Sequence, residues 1–342
     1  MSTHDPSASI AWEPFMDRAL ELATNPLAPR GENPRVGCVI VNELGAIVGE
    51  GWHEGAGTAH AEVVALVQAG DHAVGATAVV TLEPCNHHGR TGPCARALID
   101  AGISRVVFAQ ADPTTDAGGG SRALAAADVE VVSGVREVEA AAVNREWTIA
   151  ATRGWPFVTA KCAVSLDGRV AGPEGQPVAL TGPEANRYSH EIRARVQAIV
   201  VGTQTVVNDD PQLTIRYAQI PVSGQPLRVA VGNRDVPNGS RIADSSAPFV
   251  QIREHDPRAV LAELHTRGIR HLLLEGGPTL LRAFVAAGLV DELVWFISGV
   301  WLGAGPRPLP EGSRLDRHAA VVESLALGQD VLMRMILQGK GV

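Results

Sequence analysis

The chain has 342 residues, 45% of them apolar and 19% charged, which is the composition of a globular protein with about two domains. Its formal net charge is −8, and the lack of a clustered basic stretch argues against a nucleic-acid partner and favours small-molecule chemistry. No apolar run reaches the ~18 to 20 residues of a membrane helix and the N-terminus lacks a signal-peptide pattern, so we predict a cytoplasmic protein without a membrane partner.

The first half of the chain alternates short apolar runs with amphipathic ones. Periodicity predicts helices over residues 12–24, 59–69 and 94–101. It also predicts a β-hairpin over 36–41 and 46–51, followed by strands over 78–82, 105–109 and 129–133. This alternation of strands and helices is typical of a layered α/β domain.

The pattern restarts close to residue 150, where the turn-forming residues 153–156 follow a helical stretch. Strands are then predicted over residues 157–164, 198–201, 227–231, 271–274 and 292–297. We therefore expect two α/β domains, residues 1–150 and residues 151–342, joined by a short linker.

Two short motifs in the first half carry metal-binding residue types. His60-Ala61-Glu62 is followed by two Pro-Cys pairs that end in Cys85 and Cys94, which is the signature of zinc-dependent base deaminases. One imidazole and two thiolates leave the fourth position of a tetrahedral zinc ion open for water. We predict His60, Cys85 and Cys94 as metal ligands and Glu62 as the proton shuttle, since zinc lowers the pKa of its bound water.

The expected local structure brings these residues together. Residues two apart on a helix point in different directions, so His60 and Glu62 reach one ion only at a helix start, for which Thr58 is the expected N-cap. Cys94 lies at a second expected helix start, where the helix dipole favours a thiolate. Two alternatives stay open at this point: a purely structural zinc site, and a disulfide between Cys85 and Cys94 in an oxidising compartment.

The eight residues between the two cysteines, 86–93, form a long polar insert where the general signature has only two. Because a guanidinium binds phosphate well, we expect Arg90 to contact an anionic substrate. His87 and His88 are candidates for additional metal ligands. The insert therefore favours a phosphorylated small molecule over a free base.

In the second half, two glycine turns join a strand to a helix. Residues 272–275 read as a strand, Gly276 and Gly277 as a turn, and Pro278 as the first residue of a helix. Gly202 repeats this arrangement after another strand. Such turns present free backbone N–H groups to a cofactor phosphate, although no Gly-x-Gly-x-x-Gly indicates the ordinary dinucleotide fold.

The motifs together resemble a known family. NPRVGCVIV, AHAE and TLEPCNHHGRTGPC in the first half, with KCAVSLDGRVA, VGTQTVVNDDPQLTIR and LLLEGGPTLLRAF in the second, look like the bifunctional riboflavin-biosynthesis deaminase-reductase family. The resemblance covers nearly the whole chain. It implies a cytidine-deaminase-like first domain and a dihydrofolate-reductase-like second domain, with zinc in the first and NADPH in the second.

The resemblance also implies residue roles. Deaminase substrate contacts are expected from Asn33, His53, His87 and Arg90. NADPH contacts are expected from Ala163, Ala179, Thr205, Asp209, Asn233, Gly277, Pro278, Thr279 and Leu280. Reductase substrate contacts are expected from Arg193, Leu213, Arg216 and Glu275, with the two arginines as phosphate partners.

The chain departs from the family pattern at several of these positions. Asn86 replaces the usual serine of the insert, and residues 179–182 read Ala-Leu-Thr-Gly in place of Trp-Ile-Thr-Ser. Pro177 stands where a substrate-binding serine is common, and Gly232-Asn233 replaces Asp-Ser. Most of these departures concern cofactor and substrate contacts of the second domain, so they bear on reductase activity rather than on the fold.

The resulting hypothesis is a homo-oligomeric enzyme of riboflavin biosynthesis. Zinc hydroxide would deaminate 2,5-diamino-6-(5-phosphoribosylamino)pyrimidin-4-one, and NADPH would then reduce the ribosyl to a ribityl side chain. One alternative is a zinc deaminase of another nucleotide or base whose reductase-like domain lacks reductase activity. Another is a structural zinc domain joined to a nucleotide-binding sensor.

Overall fold

The computed structural model describes residues 11–26, 28, 31–87, 92–114, 118–219, 224–309 and 319–337. The chain divides into two compact units, residues 1–152 and 153–342, and each contains its own sheet. Among the residues that the structure describes, no helix has the length and apolar character needed to cross a lipid bilayer.

The sheet of the first unit has five strands in the order β2-β1-β3-β4-β5. Strand β1 is antiparallel to both of its neighbours, β2 and β3, and β3, β4 and β5 run parallel. Their bounds are β1 Gly37–Val41, β2 Ile47–Trp52, β3 Thr77–Leu82, β4 Arg105–Gln110 and β5 Glu130–Ser133. The predicted hairpin and the three predicted strands that follow it are thereby confirmed.

Helices cover both faces of this sheet: α1 Glu13–Ala23, α2 Ala61–Ala69, α3 Cys94–Asp100, α4 Gly120–Ala125, α5 Glu137–Val143 and α6 Arg145–Arg153. A short 3-10 turn, Gly70–Ala73, follows α2. Successive residues of a strand face opposite sides, so Cys38 and Ile40 pack against α2, α3 and α4, whereas Val39 and Val41 pack against α1 and α5. The result is a three-layer α/β unit.

Helix α2 packs unusually close to strand β2. A Cβ added at Gly51 would lie 2.3 Å from the Ala61 carbonyl oxygen, and one at Gly49 would lie 2.2 Å from the Ala65 carbonyl oxygen. Only glycine allows this approach, and it fixes the N-terminal end of α2 against the sheet. The predicted cap is wrong: α2 begins after His60, and Thr58 Oγ1 hydrogen-bonds to the Gly55 carbonyl oxygen instead.

The sheet of the second unit has eight strands in the order β12-β13-β11-β6-β10-β7-β8-β9. The six strands from β11 to β9 are parallel, and β13 and β12 extend one edge as an antiparallel pair. Their bounds are β6 Phe157–Val164, β7 Ala198–Gly202, β8 Leu227–Val231, β9 Phe249–Ile252, β10 His271–Leu274, β11 Glu292–Ile297, β12 Ala319–Leu327 and β13 Asp330–Leu337. The five predicted strands are confirmed, whereas β9, β12 and β13 escaped the sequence analysis.

The helices of this unit again lie on both faces of the sheet: α7 Pro183–Arg193, α8 Thr203–Asp209, α9 Pro257–Thr266 and α10 Pro278–Ala286. Short 3-10 turns occur at Pro173–Gly175 and Arg241–Ala243. Leu264 of α9 and Phe284 of α10 belong to the core on one face, and Ile192 of α7 belongs to the core on the other. The predicted start of α10 at Pro278 is confirmed.

Candidate functional sites

Three potential metal ligands of the first unit meet where two helices begin. His60 is the N-cap of α2, Cys94 is the first residue of α3, and Cys85 follows β3. His60 Nδ1 lies 3.1 Å from Cys94 Sγ and 3.6 Å from Cys85 Sγ, and the three donor atoms are all within 4.8 Å of one another. The sequence-distant motifs thus form one cluster.

The cluster fits a zinc ion. Zinc bonds of about 2.3 Å to sulfur and about 2.0 Å to nitrogen place tetrahedral donors roughly 3.5 to 3.8 Å apart, close to the separations observed. The backbone helps to fix Cys85, because Cys94 N donates to its Sγ at 3.4 Å and Ala95 N donates to its carbonyl oxygen at 3.1 Å. Both cysteines are buried free thiols, so the structure does not contain the alternative disulfide.

The electrostatics of the two cysteines also favour a cation. Hydrogen bonds from Cys94 and from the His60 imidazole lower the pKa of Cys85 to about 4, despite its burial. The pKa of Cys94 is raised by its hydrogen bond to Cys85 and by burial. Cys85 therefore favours the thiolate form that binds a divalent cation, and metal binding would release the proton of the Cys94 thiol.

Glu62 lies in the first turn of α2, beside the metal cluster and at the wall of a pocket of about 280 Å³. The residue is only 4% exposed, and this burial raises the pKa of its carboxyl group. A carboxyl group with a raised pKa exchanges protons more readily near neutral pH than an exposed one does. Glu62 is thus suited to carry a proton between a water molecule and a ligand in this pocket.

Asn33, His53 and His87 line the same pocket. His53 Nδ1 lies 3.2 Å from the Ala59 carbonyl oxygen and therefore carries the proton, which leaves Nε2 to accept from Asn33 Nδ2 at 3.0 Å. Burial lowers the pKa of His53, which keeps this neutral tautomer. The Asn33 side chain thus uses its Nδ2 for this contact, and its Oδ1 atom has the chemistry of an acceptor for an N–H group. Arg90 and His88 lie outside the described residues.

The pocket also contains residues that the sequence analysis missed. Trp147 and Asp112 line it, as do Glu32 and Glu83. They come from α6 and from the loops before β1 and after β3 and β4, far from the metal motifs in the sequence. No local pattern marks them, because only the folded topology brings them to this end of the sheet.

The second unit has a larger pocket, about 770 Å³, at the carboxyl ends of the parallel strands β6, β7 and β10. Ligands of open α/β sheets bind at such ends. The predicted residues that line it are Ala163, Thr205, Asp209, Glu275, Gly277, Pro278, Thr279 and Leu280. The backbone N–H of Gly277 donates to Thr205 Oγ1 at 3.2 Å, so the two glycine turns of the sequence analysis meet here.

Arg193 and Glu275 form a buried, bidentate ion pair at the edge of this pocket. Arg193 Nε and Nη2 donate to the two Glu275 carboxylate oxygens at 2.7 and 2.8 Å, and Nη1 donates to the Thr214 carbonyl oxygen at 3.1 Å. Burial raises the pKa of Glu275, but the charge of Arg193 and its hydrogen bonds outweigh this and lower it to about 2. The structure thus pairs two of the predicted substrate contacts with each other.

Other predicted residues do not line this pocket within the described part of the chain. Ala179 and Asn233 are exposed, Leu213 is buried with a positive φ of 54°, and Arg216 donates to Thr214 Oγ1 at 2.8 Å. Among the residues missed, Lys161, Gln204 and Asn208 line the pocket. Lys161 lay within a quoted motif, but its side-chain direction depends on the register of β6 in the sheet.

Comparisons with known proteins cover both units. Residues 11–110 match the family model described as the zinc-binding region of cytidine and deoxycytidylate deaminases, and residues 156–333 match the model of the RibD C-terminal domain. The riboflavin biosynthesis protein RibD of Mycobacterium tuberculosis is 48% identical over 275 residues, which is 80% of this chain and 80% of that protein. RibD of Escherichia coli is 39% identical over 331 residues, 87% of this chain and 90% of that protein.

Solved structures give the same result. Acinetobacter baumannii RibD, form 2, has a TM-score of 0.88 and 36% identity, covering 95% of this chain and 98% of its own. The diaminohydroxyphosphoribosylaminopyrimidine deaminase/5-amino-6-(5-phosphoribosylamino)uracil reductase of Thermotoga maritima has a TM-score of 0.83 and 31% identity, covering 96% and 99%. Both similarities extend over the two units.

Proposed function

The chain belongs to the RibD family of riboflavin-biosynthesis proteins, and from this we propose how its residues carry out two consecutive reactions. It is a bifunctional enzyme with a cytidine-deaminase-like domain and a domain of the dihydrofolate-reductase-like fold. The first reaction removes the 2-amino group of 2,5-diamino-6-(5-phosphoribosylamino)pyrimidin-4-one as ammonia. The second reduces the ribosyl side chain to ribityl with NADPH. We assign these reactions to residues 1–150 and 151–342.

In the deaminase, His60, Cys85 and Cys94 would hold the zinc ion. When bound, zinc lowers the pKa of a water molecule and so supplies a nucleophile close to neutral pH. Glu62 accepts a proton from the attacking water and returns it to the departing amino group. The observation that supports this most directly is the position of the buried Glu62 carboxyl group at the pocket wall, beside the three donor atoms.

The remaining deaminase contacts would orient the substrate. Asn33 Oδ1 is free to accept from an N–H group of the pyrimidine, because its Nδ2 donates to His53. His53 and His87 line the same pocket, and Arg90 is the proposed phosphate partner. Together they favour a phosphoribosyl pyrimidine over a free nucleoside.

In the reductase, NADPH supplies the hydride when bound. We propose that Ala163, Thr205, Asp209 and the turn 277–280, which line the pocket, hold the cofactor. The proposal extends to Ala179 and Asn233, which are exposed and lie outside the described pocket lining. Arg193 would orient Glu275, which lines the pocket. Leu213 and Arg216, which lie outside the described pocket lining in the segment after α8, are proposed as further substrate contacts. The chain thus binds a small-molecule substrate in each unit, and we propose that it acts as a cytoplasmic homo-oligomer.

A Glu62→Gln variant tests the deaminase assignment. With zinc, NADPH and the phosphoribosyl pyrimidine, the wild-type protein should release ammonia and then oxidise NADPH. The variant should lose ammonia release by a factor on the order of 10² to 10⁴ while it retains one zinc ion per chain and oxidises NADPH with the deaminated intermediate. Unchanged ammonia release in the variant would indicate a structural zinc site. If free nucleosides are turned over as fast as the phosphoribosyl pyrimidine, the protein is a deaminase of another substrate. If zinc-dependent deamination occurs without NADPH oxidation, the reductase domain is inactive.

A further inference from the structure

The segment that carries Asn33 belongs to no helix or strand. Residues 32–35 form the irregular approach to β1, which begins at Gly37. Asn33 nevertheless holds a defined position, because its amide lies 3.0 Å from His53 Nε2 and faces the deaminase pocket. An irregular segment keeps such a position only when other parts of the structure fix its backbone.

Two residues near the start of α6 supply these contacts. Asn144 accepts from Arg35 N at 2.8 Å through Oδ1 and donates to Arg35 O at 2.9 Å through Nδ2. Trp147 Nε1 donates to Glu32 O at 3.0 Å. The three hydrogen bonds bracket Asn33 in the sequence, since they join its backbone on the N-terminal side at Glu32 and on the C-terminal side at Arg35.

The two side chains act from one rigid base. Thr148 N donates to Asn144 O at 2.7 Å, so Asn144 lies at the start of α6 and Trp147 follows in its first turn, on the same side of the helix. Asn144 is only 3% exposed. Trp147 also lines the pocket, and an indole ring has the shape to stack on a planar ligand.

We propose that Asn144 is a positioning residue for Asn33, and that Trp147 combines this positioning with direct stacking on the pyrimidine of the substrate. This inference rests on the proposed deaminase function and adds to it the residues that set substrate affinity. The metal ligands and Glu62 lie on α2, α3 and the loop after β3, and none of them is hydrogen-bonded to Asn144 or Trp147 in the described contacts. Loss of the contacts should therefore raise KM for the phosphoribosyl pyrimidine and leave kcat nearly unchanged.

Conservative variants separate the two roles of Trp147. Trp147→Phe keeps a ring in the pocket but loses the hydrogen bond to Glu32, and it should raise KM about 3- to 10-fold. Trp147→Ala also loses the ring and should raise KM further, to about 10- to 100-fold, since stacking of a base on an aromatic side chain is lost. Asn144→Asp keeps the acceptor for Arg35 N and loses the donor to Arg35 O, so it should resemble Trp147→Phe.

The control is Thr152→Val on the exposed side of the same helix, where the hydroxyl donates, within the described residues, to carbonyl oxygens of α6 itself. This variant should keep the wild-type KM. In all variants we expect one zinc ion per chain and unchanged NADPH oxidation with the deaminated intermediate, which shows that the protein is folded.

Two results would overturn the inference. One is a wild-type KM in both Trp147→Phe and Asn144→Asp, and the other is a fall in kcat or zinc content with KM unchanged, which indicates a purely structural role. Both are distinct from failure of the proposed function. If the proposed function is wrong, the wild-type protein itself does not release ammonia from the phosphoribosyl pyrimidine, and the inference about Asn144 and Trp147 is then wrong as well.

Discussion

The deaminase pocket draws its reacting groups from two short motifs, whereas the reductase pocket is assembled from turns and side chains spread over most of the second unit. In the first, three ligand atoms and one carboxyl group converge from two helix starts and a loop. In the second, Arg193 and Glu275 form an ion pair with each other, and Lys161 and Asp209 also line the pocket. Metal chemistry demands particular side chains at particular spacings, while a cofactor is held largely by backbone groups that many residue types provide.

The largest expected effect is the loss of the activity of the first unit while the activity of the second unit is retained. Cys94→Ala removes a metal ligand and should abolish both zinc binding and ammonia release, because the remaining His60 and Cys85 cannot complete the site. NADPH oxidation with the deaminated intermediate should persist. The matched control for zinc content is Cys38→Ala, which changes another fully buried cysteine of the same unit that is not one of the three donor residues. Loss of zinc in both variants would mean that burial, not ligation, accounts for the result.

A second comparison concerns how rigidly each pocket is held. Gly51→Ala places a Cβ 2.3 Å from the Ala61 carbonyl oxygen, so α2 must shift together with Glu62. Displacement of a reacting group by about 1 Å can cost about 10²-fold in rate, and we expect a loss of ammonia release of this order. Gly276→Ala places a Cβ against the Leu280 side chain, 2.8 Å from Cδ2 and 3.0 Å from Cβ, rather than against backbone. It should change NADPH oxidation less than 10-fold, a limit set by roughly 1 kcal/mol of strain.

Gly31→Ala is the control, since no atom of the described residues other than its chain neighbours lies within 4 Å of its Cβ position and its φ is not positive. It should leave both activities unchanged. If Gly51→Ala keeps wild-type ammonia release, then α2 adapts to the added methyl group and the close packing does not fix the site.

The difference between the two pockets, one built from short motifs and the other from dispersed residues, explains which features could be predicted from the sequence. The motif around His60 and Glu62 is local, so its chemistry could be predicted once two helix starts were expected to meet. The wrong prediction of Thr58 as the cap did not affect the prediction that His60, Cys85 and Cys94 form one cluster. The strands with alternating or continuous apolar residues were also predictable. By contrast, Trp147 and Lys161 reach their pockets through topology and strand register, which no local pattern encodes.

The long antiparallel pair β12 and β13 escaped prediction for a related reason. Exposed and half-buried residues predominate in β12, with Val321 53% and Val322 56% exposed, so its sequence lacks the continuous apolar character of the central strands. An edge strand is stabilised by pairing along one side only. Its position becomes evident only from the register with β13.

The ion pair of the second unit provides a third test. Arg193→Met leaves the buried Glu275 carboxylate without its partner and should lower the free energy of unfolding by about 3 to 5 kcal/mol. A double variant, Arg193→Met with Glu275→Met, should regain much of this stability but should still lack reductase activity. Chemical denaturation of the full chain measures the first effect and NADPH oxidation the second. Additive losses of stability in the double variant would show that the two residues do not act as a pair.

The smallest expected effect is the pH dependence of the stability that the Arg193–Glu275 pair contributes. The pKa of Glu275 falls from 4.5 to about 2 on folding, so the pair contributes its full stabilisation above about pH 4.5 and loses it as the pH falls towards 2. Neighbouring charges come from Arg193, Lys161 and His190, and the pKa of His190 is itself shifted. Its pKa is lowered to about 4, first by burial and then by Arg193 and Arg216, so it destabilises the folded unit between about pH 6.5 and 4.

The effects of His190 and Glu275 on stability can be separated because they fall in different pH ranges, about pH 6.5 to 4 and about pH 4.5 to 2. We expect the melting temperature of the wild-type protein to fall in both, by several degrees in the lower window, for a loss on the order of 1 to 3 kcal/mol. In Glu275→Gln, the melting temperature should not show the fall between about pH 4.5 and 2 that is due to Glu275. It should still show the fall above pH 4 that is due to His190. Identical melting curves for the two proteins across pH 2 to 5 would show that the carboxylate gains no stabilisation from Arg193, and that its orientation in the pocket is the only consequence of the pair.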